Sequence, residues 1–230
     1  MEVMLKRYIL PSQSIMASTP MRELAAQYGH ERVMVITHSE AFSHMIARLY
    51  GFHNIVTVAE YVSRHQVLYP HKIHHTPPEK VVHLEDEEPI KAVLLLESPG
   101  KRSLSFSSFA SLSLSLSSPS PPFSLIHPSP LLFADDWPQA LQICLDVVRS
   151  DGIPGVKHEA ATQVVKVFSG NPDLDYGAVH SLPRLTLGAF RVCLEALFRE
   201  TTGRELEVEL FGKPYPLIVK MIHLFLLLVP

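Results

Sequence analysis

The sequence predicts an α/β protein, a parallel or mixed sheet covered by helices. Short continuous apolar runs rich in Val, Ile and Leu suit strands buried on both faces. Amphipathic segments lie between them, and that alternation of strand and helix argues for covering helices. The third observation is the stretch Gly188–Pro214, GAFRVCLEALFRETTGRELEVELFGKP, which reads as helix, turn and strand with a lysine just beyond the strand's end. Ala189, Val192, Cys193, Leu197 and Phe198 give the helix an apolar face, and Gly203 is a natural left-handed cap. Glu205–Phe211 alternates as a strand does. The chain then turns at Gly212 and presents Lys213 before Pro214. Ligands in open α/β sheets bind at the carboxyl ends of strands, so Lys213 is either a group that meets an anion or a plain turn lysine.

Taken in order, Ser18-Thr19-Pro20 ahead of MRELAAQYG starts a helix. A hydroxyl is placed to cap it, Pro20 fits the first turn, and Glu23 is in capping-box range. RVMVIT, Arg32–Thr37, is a buried parallel strand. Glu40–Leu49 is a helix that Gly51 ends, and Asn54–Val58 is a further short strand. Residues 64–88 read as irregular. Their His65, His71, His74, His75 and His83 raise the possibility of a metal, since imidazoles ligate zinc and iron. The spacing matches no zinc pattern, and Pro70, Pro77 and Pro78 favour a solvated loop. The acidic run Glu85–Glu88 reads as a solvated face.

Ile90–Leu96, IKAVLLL, is the strongest buried strand. Asp136–Arg149 is a helix with Leu141, Cys144, Leu145 and Val148 on its face, and Asp135 or Asp136 as its cap. Strand-to-helix connections normally span about 2–6 residues, yet here 100–133 intervenes. From Ser103 to Phe133 every residue is Ser, Leu, Phe or Pro except Ala110, Ile126 and His127. That composition fits a translated, pyrimidine-rich intron or a disordered Ser/Pro-rich insertion. Gln163–Phe168 is the next strand and delivers Ser169-Gly170-Asn171-Pro172-Asp173 at its carboxyl end.

A chain of 230 residues with 47% hydrophobic content can bury one large or two small α/β cores. A net charge of −3 leaves no nucleic-acid footprint. Cys144 and Cys193 fall in apolar helical windows and read as buried thiols. The first ten residues lack the features of a secretory or transit signal. The C-terminal LIVKMIHLFLLLVP is broken by Lys220 and His223 and is shorter than the ~20 residues a membrane span requires. No G-x-S-x-G, Walker loop or G-x-G-x-x-G is present.

NPDL at Asn171–Leu174, then GAF, LEAL, TGREL and FGKP, follow one another as in the haloacid-dehalogenase (HAD) superfamily, in the subclass with a large α/β cap. ASTPMRELAAQYG at 17–29 and YGFHNIVTVAEYV at 50–62 resemble the cat-eye-syndrome-critical-region HAD-like family. The resemblance covers most of the chain outside 100–133 and the last dozen residues. It implies a Rossmannoid fold, with 1–19 a linker, 20–185 the α/β cap interrupted at 100–133, and 186–230 a partial core. It also implies a magnesium-dependent hydrolase of small phosphorylated compounds, mitochondrial in some relatives, with Lys213 at the position of the catalytic lysine. Asn171 and Asp173 are placed to orient substrate or simply to cap a loop. Asp173-Leu174-Asp175 does not directly follow its strand, so it is not read as the nucleophilic D-x-D. The nucleophile, the Ser/Thr motif and the acidic magnesium motif have no match here. The expectation is a fragment that holds no magnesium and is inactive alone. The alternative is a non-catalytic binding module built on the cap.

Overall fold

A computed structural model describes residues 18–70, 83–99, 137–155 and 162–212. The insert 100–133, His71, His74, His75, Asp135, Asp136 and Lys213 lie outside that set. The described residues form an α/β fold around a parallel five-stranded sheet. Its strands are β1 (Val33–Ile36), β2 (Ile55–Thr57), β3 (Ala92–Leu95), β4 (Lys166–Ser169) and, after a separate hairpin, β7 (Val208–Leu210), in the order β2-β1-β3-β4-β7. Every pairing is parallel, with Ile36 opposite Leu95 and Leu95 opposite Ser169. β5 (Asp175–Tyr176) and β6 (Arg184–Leu185) make the antiparallel hairpin, which the sequence reading did not anticipate.

The continuous apolar runs are explained by cover on both faces. Met34, Ile36, Val93, Leu95 and Val167 point into one core with helices α3 (Val58–Arg64), α4 (Trp137–Arg149) and α5 (Leu187–Thr202). Val33, Val35, Ala92, Leu94 and Phe168 point into the other, with α1 (Ala25–Tyr28) and α2 (Glu40–Tyr50). All four residues of β1 and of β3 are buried. Phe190, Leu194 and Phe198 of α5 share a core with α3 and α4, and β7 pairs with β4. One sheet therefore runs through the 185/186 position at which the family resemblance divides cap from core.

Gly51 and Gly203 end α2 and α5 in the left-handed region, with φ of 94° and 70°. The start of the first helix differs from expectation. Thr19–Leu24 is a 3-10 turn, and Ser18 has helical φ and ψ and makes no cap bond. An N-cap needs extended backbone. Instead, Ser18 and Tyr50 share a buried hydroxyl–hydroxyl hydrogen bond of 3.0 Å. The capping box lies elsewhere, at the α3 start, which the sequence reading took as the tail of a strand. Thr57 accepts from the Glu60 N–H, and the Glu60 carboxylate accepts from the Thr57 N–H.

Within 64–88, the described residues 64–70 and 83–88 depart from a solvated loop at His65 and Glu87. Glu87, at 3% side-chain exposure, takes contacts from Arg32, from Arg64 at 3.2 Å and from His65 at 2.9 Å. His65 is 1% exposed. A buried carboxylate is tolerated when charged donors surround it, and this cluster ties the entries of β1 and β3 to the end of α3. Cys144 is buried as expected, Cys193 is half-buried instead of buried, and the two form no disulfide.

Candidate functional site

From β1 the chain passes to β2 on one side and then crosses back to β3 on the other. Ligands of open α/β sheets sit at such a reversal, outside the carboxyl ends of the strands. Here that point lies between β1 and β3. The Leu96 and Glu97 N–H groups both donate to the Ile36 carbonyl, at 3.0 and 3.2 Å, which holds the two strand exits together. His38 and Glu97 lie just past those ends, and His38 Nδ1 contacts a Glu97 carboxylate oxygen directly. Their side chains are 14% and 18% exposed, so the pair is sheltered yet reachable from solvent. Phe42 packs against the His38 ring at 4.7 Å between centroids.

An imidazole held at Nδ1 by a carboxylate has its orientation fixed and Nε2 left for other work. The surroundings fix the pair further. Thr37 Oγ1 donates to the Ser39 carbonyl, accepts from the Ser39 N–H and shares a hydrogen bond with Ser43 Oγ. Ser39 caps α2 by accepting from the Phe42 N–H. On the other side of the crevice, Trp137 Nε1 donates to the Pro99 carbonyl at 2.7 Å, tying the α4 start to the β3 exit.

Tyr50 reaches Ser18, whose Cβ lies where a side chain on Gly170 would fall, at 2.7 Å. Burial pushes the Tyr50 hydroxyl above its ordinary range and nearby Glu97 adds to the rise, while hydrogen bonds with Ser18 and Thr19 and the charge of Arg22 oppose it. Next along the edge, at the exit of β4, Asn171 Oδ1 accepts from the Asp173 N–H at 3.0 Å. That is an Asx turn, the loop-capping role open to these residues. Asn171 is half-buried and Asp173 exposed. β7 is parallel to β4, and Gly212 past its end has a φ of 97°. Gly212 is therefore at this same edge, and Lys213 itself lies outside the described residues.

Sequence reasoning singled out Asn171, Asp173 and Lys213 and missed His38 and Glu97. The signal was present. Each is a titratable residue just after the apolar runs VMVIT and AVLLL. Among the described residues along this edge, Glu97 and Asp173 are the carboxylates, Glu97 in contact with His38 and Asp173 exposed, and they are too few for the magnesium site that the family resemblance implies. The one metal-competent group among the described residues, Glu40, His44 and Glu60, includes an imidazole, whereas magnesium takes oxygen ligands.

No protein-family model matches the chain. Over 78 residues it is 35% identical to a cardiolipin synthase (CMP-forming)/mitochondrial hydrolase fusion protein of Schizosaccharomyces pombe. The matched segment is 34% of this chain and 13% of that protein. No helix among the described residues is long and apolar enough to cross a membrane.

Proposed function

We propose that this chain is part of a HAD-type hydrolase, with its α/β cap at 20–185 and the opening of the returning core at 186–230. Its substrate is a small phosphorylated compound, and its setting is the mitochondrion. The observation that carries the reading is the similarity to a fusion protein of a cardiolipin synthase and a mitochondrial hydrolase. The parallel α/β sheet and the ordered motifs from NPDL to FGKP favour the hydrolase part of that fusion over the synthase part.

In this reading Lys213 offsets the negative charge gathered on the phosphoryl group, and Asn171 and Asp173 shape the approach to it. His38, braced by Glu97, donates to or takes a proton from the substrate at the crevice between β1 and β3. The nucleophilic carboxylate and the magnesium ligands come from the remainder of the intact enzyme, since no D-x-D directly follows a described strand.

The test joins this chain to the upstream and downstream core of a full-length relative and measures magnesium-dependent hydrolysis of an aryl phosphate. The chain alone should turn over nothing above background. The joined enzyme should turn over, and Lys213→Ala should lower kcat by roughly 10²–10³-fold, the scale of losing one transition-state charge partner. Equal turnover with alanine at 213 removes the lysine from the mechanism. A well-folded joined enzyme without phosphatase activity overturns the hydrolase reading.

A further inference from the structure

We propose that Glu40, His44 and Glu60 form a site for a zinc-class transition-metal dication, independent of the hydrolase reading and of its magnesium. One donor atom from each residue lies within 4.8 Å of the others. Glu40 and His44 are one turn apart on α2, so their side chains share a face. Glu60 comes from the first turn of α3. These helices cover opposite faces of the sheet, and both pack against β2 at its edge. A shared ion would staple the two helical layers around that edge.

The donor set is mixed, and this sets it apart from a solvated acidic surface. His44 Nε2 already approaches Glu60 Oε1 at 2.7 Å. The other Glu60 oxygen is fixed by the Thr57 N–H at 2.9 Å. Metal-ligating carboxylates are commonly oriented by such outer hydrogen bonds. Among the described residues, His44 is the one ion-pair partner of Glu60. With metal–donor bonds of about 2.0–2.2 Å, tetrahedral donors stand roughly 3.3–3.6 Å apart. An ion would widen the 2.7 Å His44–Glu60 contact and take the place of its shared proton, while the donors now up to 4.8 Å apart draw together. The His44 and Glu60 side chains are 35% and 28% exposed and Glu40 is exposed, so an ion can enter and water can fill a fourth position. An imidazole with carboxylates suits zinc, cobalt or iron and disfavours magnesium.

The experiment titrates zinc(II) into the metal-stripped full chain by calorimetry in excess magnesium, and records the visible spectrum with cobalt(II). The chain has 13 histidines, so the readout is the difference between wild type and variants. One equivalent should bind more tightly than the rest, with a four-coordinate cobalt spectrum and a raised melting temperature. His44→Ala should weaken that equivalent at least about tenfold, the lower end for disturbing a metal site. Glu40→Gln leaves the His44–Glu60 pair intact and should weaken it similarly. Wild-type affinity in either variant, or no zinc binding at all, overturns the site.

Discussion

Glu87 shows how one buried carboxylate can organise an edge of the sheet. Arg32, Arg64 and His65 converge on it from the entry to β1 and the end of α3. The pair energy of a buried ion cluster is a poor guide to its net worth, because desolvation cancels much of it. Removing Glu87 is another matter, since the Arg32 guanidinium then stays buried without compensation. Glu87→Ala should lower unfolding free energy by about 3–5 kcal/mol in urea titration, and Glu87→Gln, which keeps the shape and some hydrogen bonds, should cost less. A loss within 0.5 kcal/mol, as for an ordinary surface change, would show the cluster to be open to water. This residue was illegible in the sequence for a physical reason. Glu85–Glu88 looks like a solvated run, and only the fold reveals that one of its members turns inward. His38 and Glu97 were hidden differently. Each is unremarkable alone, and their pairing depends on β1 and β3 being neighbours although 59 positions separate the two residues.

At the scale of elements, the strands were the legible part, because cover on both faces imposes the continuous apolar runs that announce them. α3 went unread because its seven residues are too few to show a helical period; its marker was the Thr57-to-Glu60 spacing of a capping box. The β5–β6 hairpin went unread because both of its strands are exposed and carry no alternation to detect. The GAF motif has a mechanical reading. The Gly188 N–H donates to the Asp173 carbonyl at 2.9 Å, and a Cβ at 188 would stand 2.3 Å from the carbonyl oxygens of both Pro172 and Asp173. The glycine thus lets the start of α5 lie directly on the NPDL turn. Alanine would gain up to about 1 kcal/mol in helix propensity. The clash is with backbone and cannot be relieved by a rotamer change, and overpacking of this kind costs typically 1–3 kcal/mol or more. Gly188→Ala should therefore be net destabilising by about 1–2 kcal/mol in chemical denaturation. Unchanged or increased stability would mean that the NPDL turn shifts freely away from α5.

At the scale of the whole molecule, the open matter is where the cooperative unit ends. The family resemblance divides the chain between 185 and 186, whereas the sheet and both of its cores cross that position. A chain ending at 185 would lose α5, and with it the fully buried Phe190, Leu194 and Phe198 that pack against α4 and β4. It would also lose β7, leaving the β4 edge unpaired. Deleting a single buried Phe side chain costs about 3–5 kcal/mol. Two such residues and a Leu together exceed the lower end of the 5–15 kcal/mol that typically separates a folded domain from its unfolded chain. The apolar face of α4 would then be open to water, and an unpaired parallel edge invites association. The chain ending at 185 should therefore lack a cooperative thermal transition and aggregate, while a chain ending at 212 should melt cooperatively with a sharp heat-capacity peak. Calorimetry on the two, with hydrogen exchange at β4 as a local probe, decides between the alternatives. If the shorter chain melts cooperatively at the same temperature, and β4 amides remain protected, then α5 and β7 are a separable appendage and the cap stands alone as a domain. If cooperativity appears only when α5 and β7 are present, the helix–strand unit leading to Lys213 is part of the same folding unit as His38 and Glu97. The relative placement of the two halves of the candidate site would then be fixed by packing and independent of ligand.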